Sequence, residues 1–376
     1  MTSIGGAEMV DWNLAVATAT RLVRPGPEVS KDEARAVVAE LRRHAKSSEG
    51  HVRSFTGMGT EDTHDTPVLV VDRAGWIRAN VAGFREILKP LLDKMQDKRG
   101  GGPGGAVLGA VGGKVTGVEL GMLLSFLASR VLGQYETFAP ATRALPAGAN
   151  GGGRLLLVAP NIVHVERELD VDPHDFRLWV CLHEETHRTQ FTAVPWLRDH
   201  LEGEIQSFLG ETEVDPMTVL ERIREAAQSF AGGRPEGEEG EGDDGGRSIV
   251  ELVQTPAQRE ILARLTAVMS LLEGHADFVM DGVGPDVVPS VEEIREKFKE
   301  RRARGASRLD QALRKLLGLD AKLRQYRDGE RFVRAVVQEV GMDGFNRVWT
   351  SPNTLPTKAE IAKPADWVAR VHRKGD

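Results

Sequence analysis

Two histidines four residues apart, with an acid directly after the first, form the most chemically loaded spacing in the chain: His183-Glu184-Glu185-Thr186-His187. On a helix, residues four apart sit one above the other on the same face. Both imidazoles then reach one ion, and Glu184, one position round, reaches a water bound to it. Histidine is scarce, 10 in 376 residues, so a chance occurrence of this pattern has a probability on the order of a few per cent. The competing reading, two histidines buried for packing with an acid between them, is costly without a cation to compensate.

The flanking residues predict the helix that carries this pattern. Asp172 is a cap, Pro173 suits the first helical position and Asp175 favours the positive helix end. Phe176, Val180, His183, His187 and Phe191 follow at helical spacing, and Pro195 sets a downstream limit. A catalytic zinc usually takes three protein ligands and leaves its fourth position to water. The chain's one cysteine, Cys181, excludes a cysteine-rich site and an intramolecular disulfide, so the third ligand must be histidine or carboxylate. Cys181 itself reads as a small buried residue, with a thiol switch as the alternative.

A second predicted helix offers that ligand. It begins at Thr255-Pro256, presents Ile261, Leu262, Leu265, Met269, Leu272, Ala276 and Met280 on one face, and ends at Gly282-Val283-Gly284-Pro285. Glu273 lies on its apolar side, where an acid is expensive unless paired or metal-bound. That cost favours Glu273 as the third ligand. A salt bridge to an arginine is the alternative use of Glu273, and His275, on a different side of the helix, is the alternative ligand. Asp277, one turn on from Glu273, can accept a hydrogen bond from the non-coordinating nitrogen of a ligating histidine.

The remaining elements must position these two helices. Helices are expected over Asp11–Val23, Ser30–Lys46 and Asn80–Lys98, the last kinked or divided at Pro90. Gly109, Gly113, Gly117 and Gly121 form a strip along another, which continues from Met122 to Tyr135. Such a strip serves either close packing in a soluble core or membrane-helix dimerisation. Glu119 and Arg130 interrupt the apolar stretch Val115–Leu132, which favours packing over stable membrane insertion. Val68–Asp72 and Arg154–Pro160 read as strands, the second the stronger. Further helices are expected from Ser290, over Leu309–Tyr326 and over Glu330–Val340, followed by a turn-rich tail.

The fold class is therefore mainly α (α+β) with few strands, in a single domain spanning residues 1–376. Residues 232–247, rich in glycine and acid, read as a disordered loop within it. A net charge of −7 without a long basic run argues against nucleic-acid binding. The N-terminus lacks the pattern of a signal peptide, which makes a cytoplasmic location the expectation.

Taken together, His183-Glu184-x-x-His187 and the downstream Glu273-x-x-Ala276-Asp277 resemble the gluzincin pattern of zinc metallopeptidases. More closely, the chain resembles the zincin-like metallopeptidase family described mainly from actinobacteria, one branch of which is associated with deazaflavin-cofactor biosynthesis. Leu132-Gly133-Gln134-Tyr135-Glu136, His183 to Phe191, Leu272 to Asp277 and the Asn346–Pro356 stretch carry the resemblance, which covers about Asp11 to Trp367. It implies a zincin-like fold, one Zn2+ per chain, and a peptide or protein as substrate, with Glu184 as the base in metal-assisted hydrolysis. A scaffold that binds zinc without turnover, acting as a binding or assembly factor, is the alternative. The resemblance also implies an edge strand that aligns substrate, for which Leu155–Ala159 is the candidate. Tyr135, Tyr326 and His164 are the named candidates for stabilising the transition state, with packing as the competing role of the tyrosines.

Overall fold

The computed structural model describes residues 9–59, 66–98, 103–138, 153–211, 256–303 and 319–372. The acidic tract 232–247 lies outside them, as does most of the Leu309–Tyr326 pattern.

The helices begin where the chain supplies a cap. Asp11 accepts from Leu14 N–H to start α1 (Trp12–Leu22), and Ser30 accepts from Glu33 N–H to start α2 (Lys31–Thr56). Helix α2 runs ten residues beyond the expected Lys46, because Ser48, Val52 and Thr56 are buried and keep its inner face occupied. It stops at Gly57, whose left-handed φ of 67° closes the last turn. Strand β1 (Val68–Val71) leads into α3 (Arg73–Lys98), which starts earlier than the expected Asn80 because Asp72 caps it through Gly75 N–H at 2.6 Å. Pro90 lies within α3 without dividing it.

Helix α4 (Pro103–Ala128) ends before the expected Tyr135, and Gly133–Glu136 forms strand β2 instead. The correction has a tertiary cause. Leu132 O accepts from Val158 N–H, and Gly133 to Glu136 pair antiparallel with β3 (Arg154–Val158), where Glu136 also meets Arg154 in an ion pair. Strand β1 pairs parallel on the other side of β3, giving the order β1-β3-β2. The strand expected to be an edge is thus the centre of the sheet. Leu155 to Val158 are fully buried, as a strand covered on both faces must be.

The chain continues through α5 (Ala159–Leu169), α6 (Pro173–Ala193), α7 (Pro195–Gly210), α8 (Pro256–Gly282), α9 (Val291–Ala303) and α10 (Leu319–Phe345). The break expected between Tyr326 and Glu330 is absent; α10 departs from helical geometry at Gly341, with φ 73°. Two short 3-10 turns, Asn346–Trp349 and Pro352–Thr354, then precede α11 (Lys358–Ala362) and α12 (Pro364–His372).

Three apolar clusters hold these elements. One joins α2, α5, α6, α9 and the end of α8 through Leu41, Ile162, Phe176, Ile294 and Val279. Another joins α7, α8, α10 and the C-terminal turns through Leu197, Leu271, Phe332 and Trp367. The third joins α1, α3, α4 and the sheet. The glycine strip of α4 belongs here: a Cβ on Gly117 would lie 2.6 Å from Asp11 O, and one on Gly121 2.8 Å from Ala15 O. Close packing against α1 is therefore its use. Among the described residues no helix is long and apolar enough to cross a membrane.

Candidate metal centre

Helix α6 forms as its sequence predicts. Asp172 accepts from Asp175 N–H at 3.0 Å, Pro173 occupies the first turn, and Phe176, Val180, Cys181 and Leu182 are buried. Cys181 lies deep in this packing. Burial first, then the charges of Glu184, Glu185 and Glu40, push its thiol well up, so it is an inert packing residue. Helix α8 contributes to both of the first two clusters, with Val279 and Met280 in one and Ala267 to Leu272 in the other. Glu273 to Asp277 occupy the seam between them.

At this seam α6 and α8 run antiparallel, so His183 meets Asp277 and His187 meets Glu273. The Nε2 atoms of His183 and His187 are 3.2 Å apart. Glu273 places Oε2 3.8 Å from the first and Oε1 3.7 Å from the second. Three corners of a tetrahedron around zinc, with bonds of about 2.0–2.1 Å, are separated by about 3.3–3.4 Å. The observed spacings bracket that value, so small side-chain adjustments bring all three donors onto one ion.

Each outer nitrogen faces an acceptor. His187 Nδ1 stands 2.9 Å from Gln190 Oε1, and His183 Nδ1 3.4 Å from Asp277 Oδ1. Both neighbours accept, which keeps a proton on each Nδ1 and turns the two Nε2 atoms toward one point. In the metal-free site a proton held between the two Nε2 atoms bridges them at 3.2 Å; a metal ion would take the place of that proton, so the donor set fits a metal ion. Gln190 is itself fixed: its Nε2 donates to Leu272 O at 2.9 Å and meets His275 Nδ1 at 3.0 Å. Replacing Gln190 by leucine or Asp277 by alanine is expected to weaken zinc binding about 10- to 100-fold with the fold retained, read by competition with a chelating dye.

His275, the alternative ligand, is turned away. It is fully buried, 5.2 Å from the ring of Phe345 and 5.5 Å from that of Trp349. Burial, with the nearby His187, lowers its pKa to about 3. The unfolded chain takes up this proton near pH 6.5 while the native protein does not. Between those values stability must therefore rise with pH, by up to about 1.4 kcal/mol per pH unit. Urea unfolding of metal-free protein between pH 4.5 and 7.5 measures this slope, which a His275→Asn variant is expected to flatten.

Glu184 is buried beside the donors. Burial raises its pKa to about 7, with His183 opposing and Glu273 reinforcing the rise. Burial also opposes charge on His183, but Asp277, Glu184 and Glu273 prevail and hold its pKa at about 9. His187 is pushed down, chiefly by burial. On the other side of α6, Glu185 receives Arg188 through both carboxylate oxygens, at 2.8–3.0 Å. Arg188 also reaches Glu49 at 3.0 Å and Thr66 O at 3.3 Å, tying α6 to α2 and the lead-in to β1.

Two glycines set the approach of neighbouring elements. A Cβ on Gly133 of β2 would lie 2.5 Å from Glu184 Cγ and Cδ, so β2 closely borders Glu184. Gly274 lets α10 press on α8 between Glu273 and His275, since a Cβ there would lie 2.1 Å from the Gly329 carbonyl carbon. Alanine is the better helix former by about 1 kcal/mol. The clash, however, is with backbone that cannot swing aside, and overpacking costs about 1–3 kcal/mol or more. Gly274→Ala is thus expected to lower the thermal midpoint despite its propensity, and a calorimetric scan checks this.

Of the three named candidates for transition-state stabilisation, two have side chains among the described residues. Tyr135 stacks on Phe191 at 5.3 Å, and its hydroxyl is engaged by the Gly153 backbone and the Thr66 side chain. His164 is exposed on α5 beside Glu168, 3.9 Å away. The Tyr326 side chain lies outside the described residues. Sequence reasoning missed Gln190 and Gly133. Gln190 follows His187 by three residues, the spacing of a helical neighbour, which was an available signal. Nothing local marked Gly133.

A histidine pair on one helix, closed by a glutamate from a second and flanked by a buried acid, is the donor arrangement of a zincin-type centre. The chain matches the zincin-like metallopeptidase family over residues 10–368, and it belongs to that family. Among solved structures it is similar to a protein from Chloroflexus aurantiacus described as "a putative hydrolase with a novel fold". The two share 31% identity and a TM-score of 0.67, over 97% of this chain and 100% of that one. No curated protein matches the chain significantly.

Proposed function

We propose that the protein is a zinc-dependent hydrolase of peptide or amide bonds, with His183, His187 and Glu273 as metal ligands and Glu184 as the general base. The observation that carries this reading is the convergence of His183 Nε2, His187 Nε2 and a Glu273 oxygen within 4.8 Å of one another, with the buried carboxyl of Glu184 adjoining. Zinc supplies, when bound, an acidic water and polarisation of the scissile carbonyl. Glu184, poised near neutrality by burial, takes the proton of the attacking water and delivers it to the leaving nitrogen. Asp277 and Gln190 hold the two imidazoles in the tautomer that presents Nε2.

Strand β2 supplies the substrate-aligning edge. Among the described residues it pairs only with β3. The Leu132–Val158 hydrogen bond sets the ladder's alternation, which turns the backbone groups of Gly133 and Tyr135 outward. An extended peptide can add there by main-chain pairing, beside Glu184. The test is cleavage of a broad peptide library by zinc-loaded protein, by protein stripped with a chelator, and by stripped protein given zinc again. Cleavage lost on stripping and restored by zinc is expected; no cleavage, or cleavage indifferent to the metal, would count against an enzyme and favour a zinc-binding scaffold.

A further inference from the structure

A second group of donors lies at the opposite end of α6, where its first turn meets α2. Glu40 and His44 are four apart on α2, so they share a face, and His174 comes from the first turn of α6. Glu40 Oε1 stands 3.0 Å from His174 Nδ1 and 3.5 Å from His44 Nε2. All three donor atoms lie within 4.8 Å of one another. These spacings match the edges of a tetrahedral site as closely as those of the first group. His174 is nine residues before His183, about 13 Å along the helix, so the two groups cannot share an ion.

We propose that Glu40, His44 and His174 form a second binding site for a divalent transition-metal ion, which clamps α2 to the start of α6. The buried nitrogen argues for it: His44 is 6% exposed, and its Nε2 has no hydrogen-bond partner although it faces Glu40 and His174. An orphaned buried nitrogen is costly unless something occupies its lone pair. Glu40 is oriented as ligating carboxylates usually are. Its second oxygen meets Arg177, which is held in turn by Glu166, 2.9 Å from Nε.

The positive end of α6 opposes a cation here. Glu40 brings the compensating negative charge, with Arg177 shared between it and Glu166. Two imidazoles and one carboxylate select zinc, cobalt or nickel over calcium or magnesium, which require oxygen ligands. The side chain of His174 is 63% exposed, so an ion can enter from solvent and complete its coordination with water.

The probe is zinc alone, titrated calorimetrically into full-length protein stripped with a chelator. Wild type is expected to bind two ions. His174→Ala, at an exposed position that spares the fold, and His44→Gln are each expected to bind one fewer. Zinc should still raise the thermal midpoint of His187→Ala, and should fail to do so in the His174→Ala/His187→Ala double variant. One ion, lost in His174→Ala and kept in His187→Ala, would support this site while removing the metal basis of the proposed hydrolase. Undiminished stoichiometry in both His174→Ala and His44→Gln would overturn the clamp and leave the hydrolase reading standing.

Discussion

Glu184→Gln is expected to keep its zinc and its fold while lowering peptide hydrolysis about 10²- to 10⁴-fold, the range that general acid–base catalysis contributes. Glutamine preserves the shape of the side chain and can still hydrogen-bond a water, but it cannot accept that water's proton. The substitution also removes a buried acid whose pKa stands near 7 because burial penalises its charge, so stability should hold or rise. Parallel measurement of zinc content, thermal midpoint and turnover separates these effects. Turnover unchanged with zinc bound would remove Glu184 from the chemistry. A variant that loses zinc together with activity would instead place Glu184 among the ligands.

Gly133→Ala is expected to cost activity out of proportion to stability. The added methyl would lie 2.5 Å from Glu184 Cγ and Cδ, and one of the two must move. The β2 backbone is pinned by its ladder with β3, whereas the Glu184 side chain can rotate, so the carboxyl gives way. Alanine does not weaken a strand relative to glycine, so little stability is lost. A displacement on the order of 1 Å at a catalytic group can cost about 10² in rate. The expected signature is a fall in kcat of that order with the zinc affinity of wild type. A variant with wild-type kcat would show that the close approach of β2 to Glu184 has no catalytic consequence.

The two helices bearing the proposed ligands were legible in the sequence because their signals are local. Asp172, Pro173 and the apolar spacing fix α6, and Pro256 and Gly282 bound α8 as expected. Glu273 was legible through cost, an acid on an apolar face. What escaped depended on contacts distant in the chain. Met122–Tyr135 reads as one amphipathic helix, yet its last residues become β2 because they pair with a strand some twenty residues on. Arg154–Val158 was visible as a strand, but whether it lay at the edge depended on that unrecognised partner. Tyr135 was named by residue type with packing as its competing role, and its stacking on Phe191 is a contact that its own segment could not show. Gln190 acts by reaching Leu272 and His275 across the helix interface, a role that its own segment cannot reveal.

Anomalous X-ray scattering at the zinc edge, from crystals of zinc-loaded protein, tests the account at its centre. It predicts a peak about 2.0–2.2 Å from His183 Nε2, His187 Nε2 and a Glu273 carboxylate oxygen, with one coordination position facing Glu184. Zinc-saturated crystals with no peak between α6 and α8, or with Glu273 turned away from an ion held by other residues, would contradict it.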